Sequence, residues 1–285
     1  MKVSMTQQIV SAVYGNFCPQ EGPRILHSAW VQLDKWEFPN LAAPYWRWYW
    51  NEYPGAHLIF GGQRVDLSPD HIVLIPPLVP FSSFTATRVS HFYIHFTLAP
   101  AYTPVKAGLY SHAACPSELS LIRDFKARLT GPAKLLEWHS GLISVQLVNA
   151  ALLSLPANTL VERAPHPQID RALQLIEAHY PHAQPNARLA KAVSMSSSSF
   201  LRQFSRVAGQ SPHQYLLTRR IQEACRLMHD PALSFELIAE KTGFCDRFHF
   251  SRHFKRHIGI GPALYRRQAN LSLVKSVPDT VIEAG

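Results

Sequence analysis

The chain has 285 residues, of which 47% are hydrophobic and 11% aromatic, enough for packed cores and too apolar for a generally disordered chain. The net charge is +9, and the most apolar segment, residues 141–157, is short and interrupted by Gln146 and Asn149, which argues against a membrane span. The four cysteines (Cys18, Cys115, Cys225 and Cys245) form no CxxC pair, so neither a zinc site nor a disulfide framework is expected. No basic stretch leading into an apolar core opens the chain, and the expectation is a cytoplasmic protein with reduced thiols and no cofactor.

From about residue 7 to residue 104, short apolar runs alternate with Pro and Gly. Runs at 45–51, 56–60, 71–75 and 90–98 are rich in aromatic and branched residues and predict strands of a sandwich or small barrel. In the first of these, a period of two puts Trp46, Trp48 and Trp50 on one side and Tyr45, Arg47, Tyr49 and Asn51 on the other. Which side faces an interior is open at this point. The run at 90–98 likewise places His91, Tyr93 and His95 opposite Phe92, Ile94 and Phe96. Two longer segments, 116–129 and 135–155, have helical spacing and length, and the second presents a broad apolar face that can pack on the barrel or on a partner subunit.

Residues 156–167 contain Pro156, Pro165 and Pro167 and predict a linker. Beyond it the pattern is helical to about Arg267, and the last residues lack periodicity. The expected division is therefore 1–155, a linker at 156–167, a helical domain at 168–268, and a tail at 269–285. Charge follows this division: residues 1–167 carry 12 basic against 10 acidic side chains, and residues 168–268 carry 15 against 7. Concentrated positive charge on one domain is the footprint expected of a nucleic-acid-binding domain or of a merely solvated basic face, and double-stranded DNA becomes the expected partner only with the repeated helices that follow.

An internal repeat sharpens that reading. Leu189, Ala190, Phe200, Phe204, Gly209, Pro212 and Tyr215 recur as Ile238, Ala239, Phe250, Phe254, Gly259, Pro262 and Tyr265. The offset is 49 before the middle of the unit and 50 after it, so one residue has been inserted at a turn. Each copy predicts a short helix, a turn (Ser194 and Met195, or Gly243 and Phe244) and a second helix, the helix-turn-helix order. At about 100° per residue, Phe200 and Phe204 face inward while Ser198, Arg202, Ser205 and Arg206 face outward. In the second copy Phe250, Phe254 and Ile258 are inward, and Phe248, Arg252, Lys255 and Arg256 outward, with Arg247 and His249 at the helix start. Guanidinium groups on such helices can donate paired hydrogen bonds to guanine in the major groove. A long connecting helix at 212–228 would hold the two reading helices about one turn of DNA, roughly 34 Å, apart.

The segments LAKAVSMSSSSFLRQFSRVAGQSPHQYLLTRRIQEACRLM and LIAEKTGFCDRFHFSRHFKRHIGIGPALYRR resemble the DNA-binding domain of the AraC/XylS family of bacterial regulators. That resemblance implies base contacts at Ser198, Leu201 and Arg202 in the first unit and at Arg247, Phe248, His249 and Arg252 in the second, with Ser199, Arg206 and Arg256 on the same faces. The run from Ser196 to Ser199 departs from the pattern by offering no large donor. The resemblance also implies an α+β two-domain fold, with an N-terminal cupin-like β-barrel followed by helices and then an all-α domain holding two helix-turn-helix units. The front domain would bind a small effector such as a sugar, through Arg47, Tyr49, Asn51, His91, Tyr93 and His95, and would support a homodimer. RNA polymerase is a further partner if the protein activates transcription. The competing expectation is a metal-dependent cupin enzyme fused to a DNA-binding module, with His91 and His95 as ligands, although no third ligand accompanies them.

Overall fold

A computed structural model describes residues 7–13, 22–98, 102–104, 108–128, 133–157, 159–162 and 166–270. The front region contains β1 (Gln7–Val13), β2 (Arg24–Leu33), β3 (Phe38–Leu41), β4 (Trp46–Asn51), β5 (Ala56–Phe60), β6 (Gln63–Leu67), β7 (His71–Ile75), β8 (Phe81–Thr85), β9 (Val89–Thr97), β10 (Tyr102–Pro104) and β11 (Tyr110–Ala113). Two helices follow, α1 (Pro116–Ala127) and α2 (Ala133–Leu153), and then β12 (Leu160–Glu162). The remaining elements are α3 (Pro167–His179), α4 (Asn186–Ala192), α5 (Ser197–Ala208), α6 (Pro212–Leu227), α7 (Phe235–Lys241), α8 (Arg247–Ile258) and α9 (Pro262–Asn270). Strands β4, β5, β7 and β9 fall within one residue of their sequence-based limits. Residues 160–162, inside the expected linker, pair as β12 with β10. Beyond residue 270 the expected tail lies outside the described residues, as does Cys18.

The strands make an antiparallel six-stranded sheet in the order β1-β2-β9-β4-β7-β11 and a four-stranded sheet in the order β3-β8-β5-β6. Among the described residues no strand ladder joins the two sheets, which touch through the isolated bridge Ser68–His71, and no closed ring is formed by these ladders. Val31, Tyr49, Val73, Ile75 and Val89 of the larger sheet pack against Phe38, Leu58, Leu67 and Phe81 of the smaller one. The other face of the larger sheet carries Trp46, Trp48 and Trp50, opposed in register by Phe96, Ile94 and Phe92. It is covered by Ile122 and Phe125 of α1 and Ile143, Leu147, Val148 and Ala151 of α2. The layer order is therefore helices, large sheet, small sheet. The tryptophan stripe is core beneath the helices, which leaves Arg47, Tyr49, His91, Tyr93 and His95 on the side between the sheets.

The helical region has two cores. Ile169, Ala172 and Ile176 of α3 enclose Phe200 and Phe204 with Leu189 and Leu216. Ile221, Ala224, Cys225 and Met228 enclose Phe250, Phe254 and Ile258, and this second core also takes in Leu26, Ala43 and Tyr45 of the front region. The register of β2 against β9 shifts between Ile25 and His27, so Leu26 is the extra residue of a bulge and points into the helical domain.

Candidate DNA interface and effector cavity

The two helix-turn-helix units are built alike. Ser194 and Gly243, at matching places in the repeat, both adopt positive φ, 56° and 77°, and turn the chain between the helices. Ser196 caps α5, its hydroxyl accepting from the Ser199 amide at 3.3 Å, and Asp246 caps α8, accepting from the His249 amide at 2.7 Å. The caps are 50 apart and the turns 49, so the inserted residue is Cys245, which is exposed. Gly209 and Gly259 end the two helices in the left-handed conformation.

With four phenylalanines fixed inward, the opposite faces are set. Ser198, Leu201, Arg202, Arg206, Arg247, Phe248, Arg252 and Arg256 are exposed, and Ser199 and His249 are half-buried. None of these five arginines turns into the core. Phe248, 83% exposed, is an aromatic ring with no core to fill. Arg247 is drawn to Glu236 of α7 at 2.9 Å, which aims its guanidinium along the start of α8.

One side chain that sequence reasoning missed joins the units. Arg220 of α6 donates to the Tyr180 carbonyl at 2.7 Å, to the His182 carbonyl at 3.1 Å and to the Gly243 carbonyl at 2.7 Å. The first two follow α3 and the third is the turn of the second unit. Gly243 is pressed against the same segment: a Cβ there would stand 2.1 Å from the Pro181 carbonyl oxygen.

Between the sheets lies a cavity of about 100 Å³, lined by Trp36, Tyr45, Arg47, Tyr49, His91, Tyr93 and His95 from the front region and by His229, Ile258, Ile260 and Tyr265 from the second helix-turn-helix unit. On the measure by which a water needs roughly 10–15 Å³, this admits a small organic molecule. Five of the six effector residues expected from sequence line it. Asn51 does not; it is fully buried and its Oδ1 meets His91 Nδ1 at 2.7 Å, orienting that ring. The four wall residues from the helical domain were not foreseen, because only tertiary docking brings them here.

The docking is made by the Tyr45 and Tyr265 hydroxyls at 3.2 Å, by Gln222 donating to the Pro44 carbonyl at 2.6 Å and by Arg24 with Glu223 at 2.9 Å. His27 and His229 stack with centroids 3.5 Å apart. Burial pushes the His91 and His229 imidazoles down to about 3, helped at His229 by the Arg226 charge. Burial also holds His27 and His95 well below the usual value, with further lowering at His27 from His229 and at His95 from Arg47. Those rings are therefore neutral near pH 7. Burial raises the Tyr49 hydroxyl to about 12 against the opposing pull of Arg47.

Arg47 is the exception in this wall. It is 4% exposed, no acidic residue lines the cavity, and its Nη1 has no hydrogen-bond partner. Its guanidinium lies 5.1 Å from the Tyr45 and Phe81 ring centres. Such contacts offset about 0.5–2 kcal/mol, against several kcal/mol for removing a charge from water. For the metal expectation, His91 Nδ1 is already engaged by Asn51, and among the described residues no group of three or more His, Cys, Asp or Glu is arranged to hold a metal ion.

A sheet-rich front domain docked on tandem helix-turn-helix units defines the class, a two-domain helix-turn-helix protein. Residues 189–268 match a family model described as a helix-turn-helix domain. The HTH-type transcriptional regulator AlkR of Acinetobacter baylyi is 32% identical over 104 residues, 36% of this chain and 34% of AlkR. YobQ of Bacillus subtilis, an uncharacterised HTH-type transcriptional regulator, is 26% identical over 206 residues, 72% of this chain and 79% of YobQ. The crystal structure of ToxT from Vibrio cholerae, solved with an unsaturated fatty acid bound, shares the fold with a TM-score of 0.56 at 12% identity, covering 93% of this chain and 96% of ToxT. The helix-turn-helix part of the chain is thus similar to that of AraC-like transcription regulators. Its match to the first curated relatives spans about a third of their length or less.

Proposed function

We propose that this protein is a sequence-specific DNA-binding transcription regulator, and not an enzyme, whose two helix-turn-helix units read one duplex site under control of a small effector. The observation that carries the reading is the pair of exposed, arginine-bearing faces on α5 and α8, held at equivalent places by equivalent cores. Arg202, Arg247 and Arg252, with Ser198, Leu201, Phe248 and His249, take the base edges; Ser199, Arg206 and Arg256, on the same faces, take phosphates. The front domain, 1–155, is a cupin-like effector domain; residues 156–167 link it to the DNA-binding domain at 168–268. The exposed Trp138 and Leu153 of α2, outside the face packed on the sheet, support a homodimer, and RNA polymerase is a partner if the protein activates. A cytoplasmic location fits this role, and no helix among the described residues is long and apolar enough to cross a membrane.

The effector site is the cavity lined by Arg47, Tyr49, His91, Tyr93 and His95. Its aromatic wall supports stacking on a sugar ring, as the family resemblance implies. Its isoleucines, and the fatty acid held by ToxT, support a ligand with an apolar body. Selection of bound sequences from random duplexes, with and without a panel of sugars and organic acids, tests the whole reading. Enrichment of one bipartite motif whose recovery depends on a panel compound is expected. Equal recovery of all sequences reduces the protein to a nonspecific DNA binder.

A further inference from the structure

Arg47 stands on β4 at the centre of the larger sheet, opposite His95 in register, and its side chain enters the cavity. A buried guanidinium ordinarily meets a carboxylate or a set of carbonyl oxygens, because its five donors and its charge are both costly to strip of water. Here the cavity wall offers rings, hydroxyls and neutral imidazoles. The Tyr49 hydroxyl engages the guanidinium, while Nη1 faces inward without an acceptor. Three other arginines near the domain junction have a carboxylate counterpart: Arg24, Arg219 and Arg226 all meet Glu223. The missing counterpart of Arg47 is therefore a negative group that arrives from outside.

We infer that the effector is an organic monoanion whose carboxylate pairs with Arg47 and whose compact apolar body lies between Trp36 and the isoleucines at the end of α8. This rests on the reading of the cavity as the effector site and narrows it. One fixed positive charge suits a carboxylate better than a doubly charged phosphate, whose second charge would be buried uncompensated. A planar fork and a planar carboxylate also allow two parallel hydrogen bonds. Ile258 and Ile260 belong to the second helix-turn-helix unit, so the same molecule touches the sheet with its head and the DNA-reading unit with its body.

The test uses the full-length chain at pH 7, with calorimetric titration of 3-phenylpropanoate, its uncharged amide, D-glucose and D-ribose. The acid should bind at least tenfold more tightly than the amide. Arg47→Met should abolish that preference, Arg47→Lys should keep part of it, and the unliganded Arg47→Met protein should melt no lower than wild type because an uncompensated buried charge has gone. Equal binding of acid and amide overturns the inference, as does an Arg47→Met protein that unfolds without ligand while Arg47→Lys binds acid and amide alike. If the sugars bind and the acid does not, the anion inference fails while the effector reading stands. If none of the four binds, and other acids, amides and sugars of similar size also fail, both fall.

Discussion

The two helix-turn-helix units are copies of one design, yet they stand in different company. In the first, Tyr215 donates its hydroxyl to Glu177 of α3 at 2.9 Å, and the core closes within the helical domain. In the second, the equivalent Tyr265 meets Tyr45 of the front domain. Forty-nine residues after Glu177 the chain carries Arg226, which is already bound to Glu223. The second tyrosine thus has no internal carboxylate and turns outward to the other domain. A duplicated unit needs few substitutions to change from self-contained to coupled, and the coupled copy is the one that walls the cavity. Effector dependence should accordingly fall on the half-site read by α8, with the half-site read by α5 bound alike in both states.

Acid is the strongest way to break this asymmetry. His27, His91, His95 and His229 are held neutral, so each imidazole gains its proton only on unfolding or undocking. For a base whose folded value is depressed, stability is complete above its ordinary value of about 6.5 and declines as pH falls below it, by about 1.4 kcal/mol per pH unit. Four such groups together lose on the order of 5 kcal/mol per unit. Release of the second unit from the front domain is expected between about pH 6 and 5, followed by tryptophan fluorescence, with His229→Phe making the transition shallower. Survival of the docked state at pH 4 would show that the rings are not enclosed as described.

Core truncation is the next largest. Phe204→Ala and Phe254→Ala should each cost about 3–5 kcal/mol in denaturant unfolding. Only Phe254→Ala should also weaken effector binding, since Phe254 packs beside Tyr265 with ring centres 5.2 Å apart. Gly243→Ala should follow, at about 1–3 kcal/mol, because the left-handed backbone and the Pro181 carbonyl both oppose a side chain. The matching change in the first unit, Ser194→Gly, should be neutral or mildly stabilising. Arg202→Ala and Arg252→Ala should each cost about 1–3 kcal/mol at the preferred DNA site, measured by fluorescence anisotropy. If either loss is the same on every duplex, that arginine contacts phosphate.

Much of this was legible in the chain. Periodicity and glycines act locally, and the repeat checks itself, so the helix-turn-helix order of both units and the connecting helix, expected at 212–228 and found as Pro212–Leu227, could be read. Four of the strands, β4, β5, β7 and β9, were legible for the same reason. The side of β4 facing the cavity was not, because alternation is symmetric until α1 and α2 choose the tryptophan face. His229, Ile258, Ile260 and Tyr265 were invisible as site residues because each also has an ordinary place in a helical core. Asn51 shared a strand face with Arg47 and Tyr49 and was placed in the cavity on that basis; at the strand's end it meets His91 instead.

The grip of Arg220 on segments either side of it has an evolutionary corollary. The pitch at which two reading heads follow a groove is here stored in a single guanidinium and the helix that bears it. Surface changes can then retune which bases are preferred, while the span of the recognised sequence stays constant. A descendant that reads a longer or shorter operator would have to rebuild α6 itself.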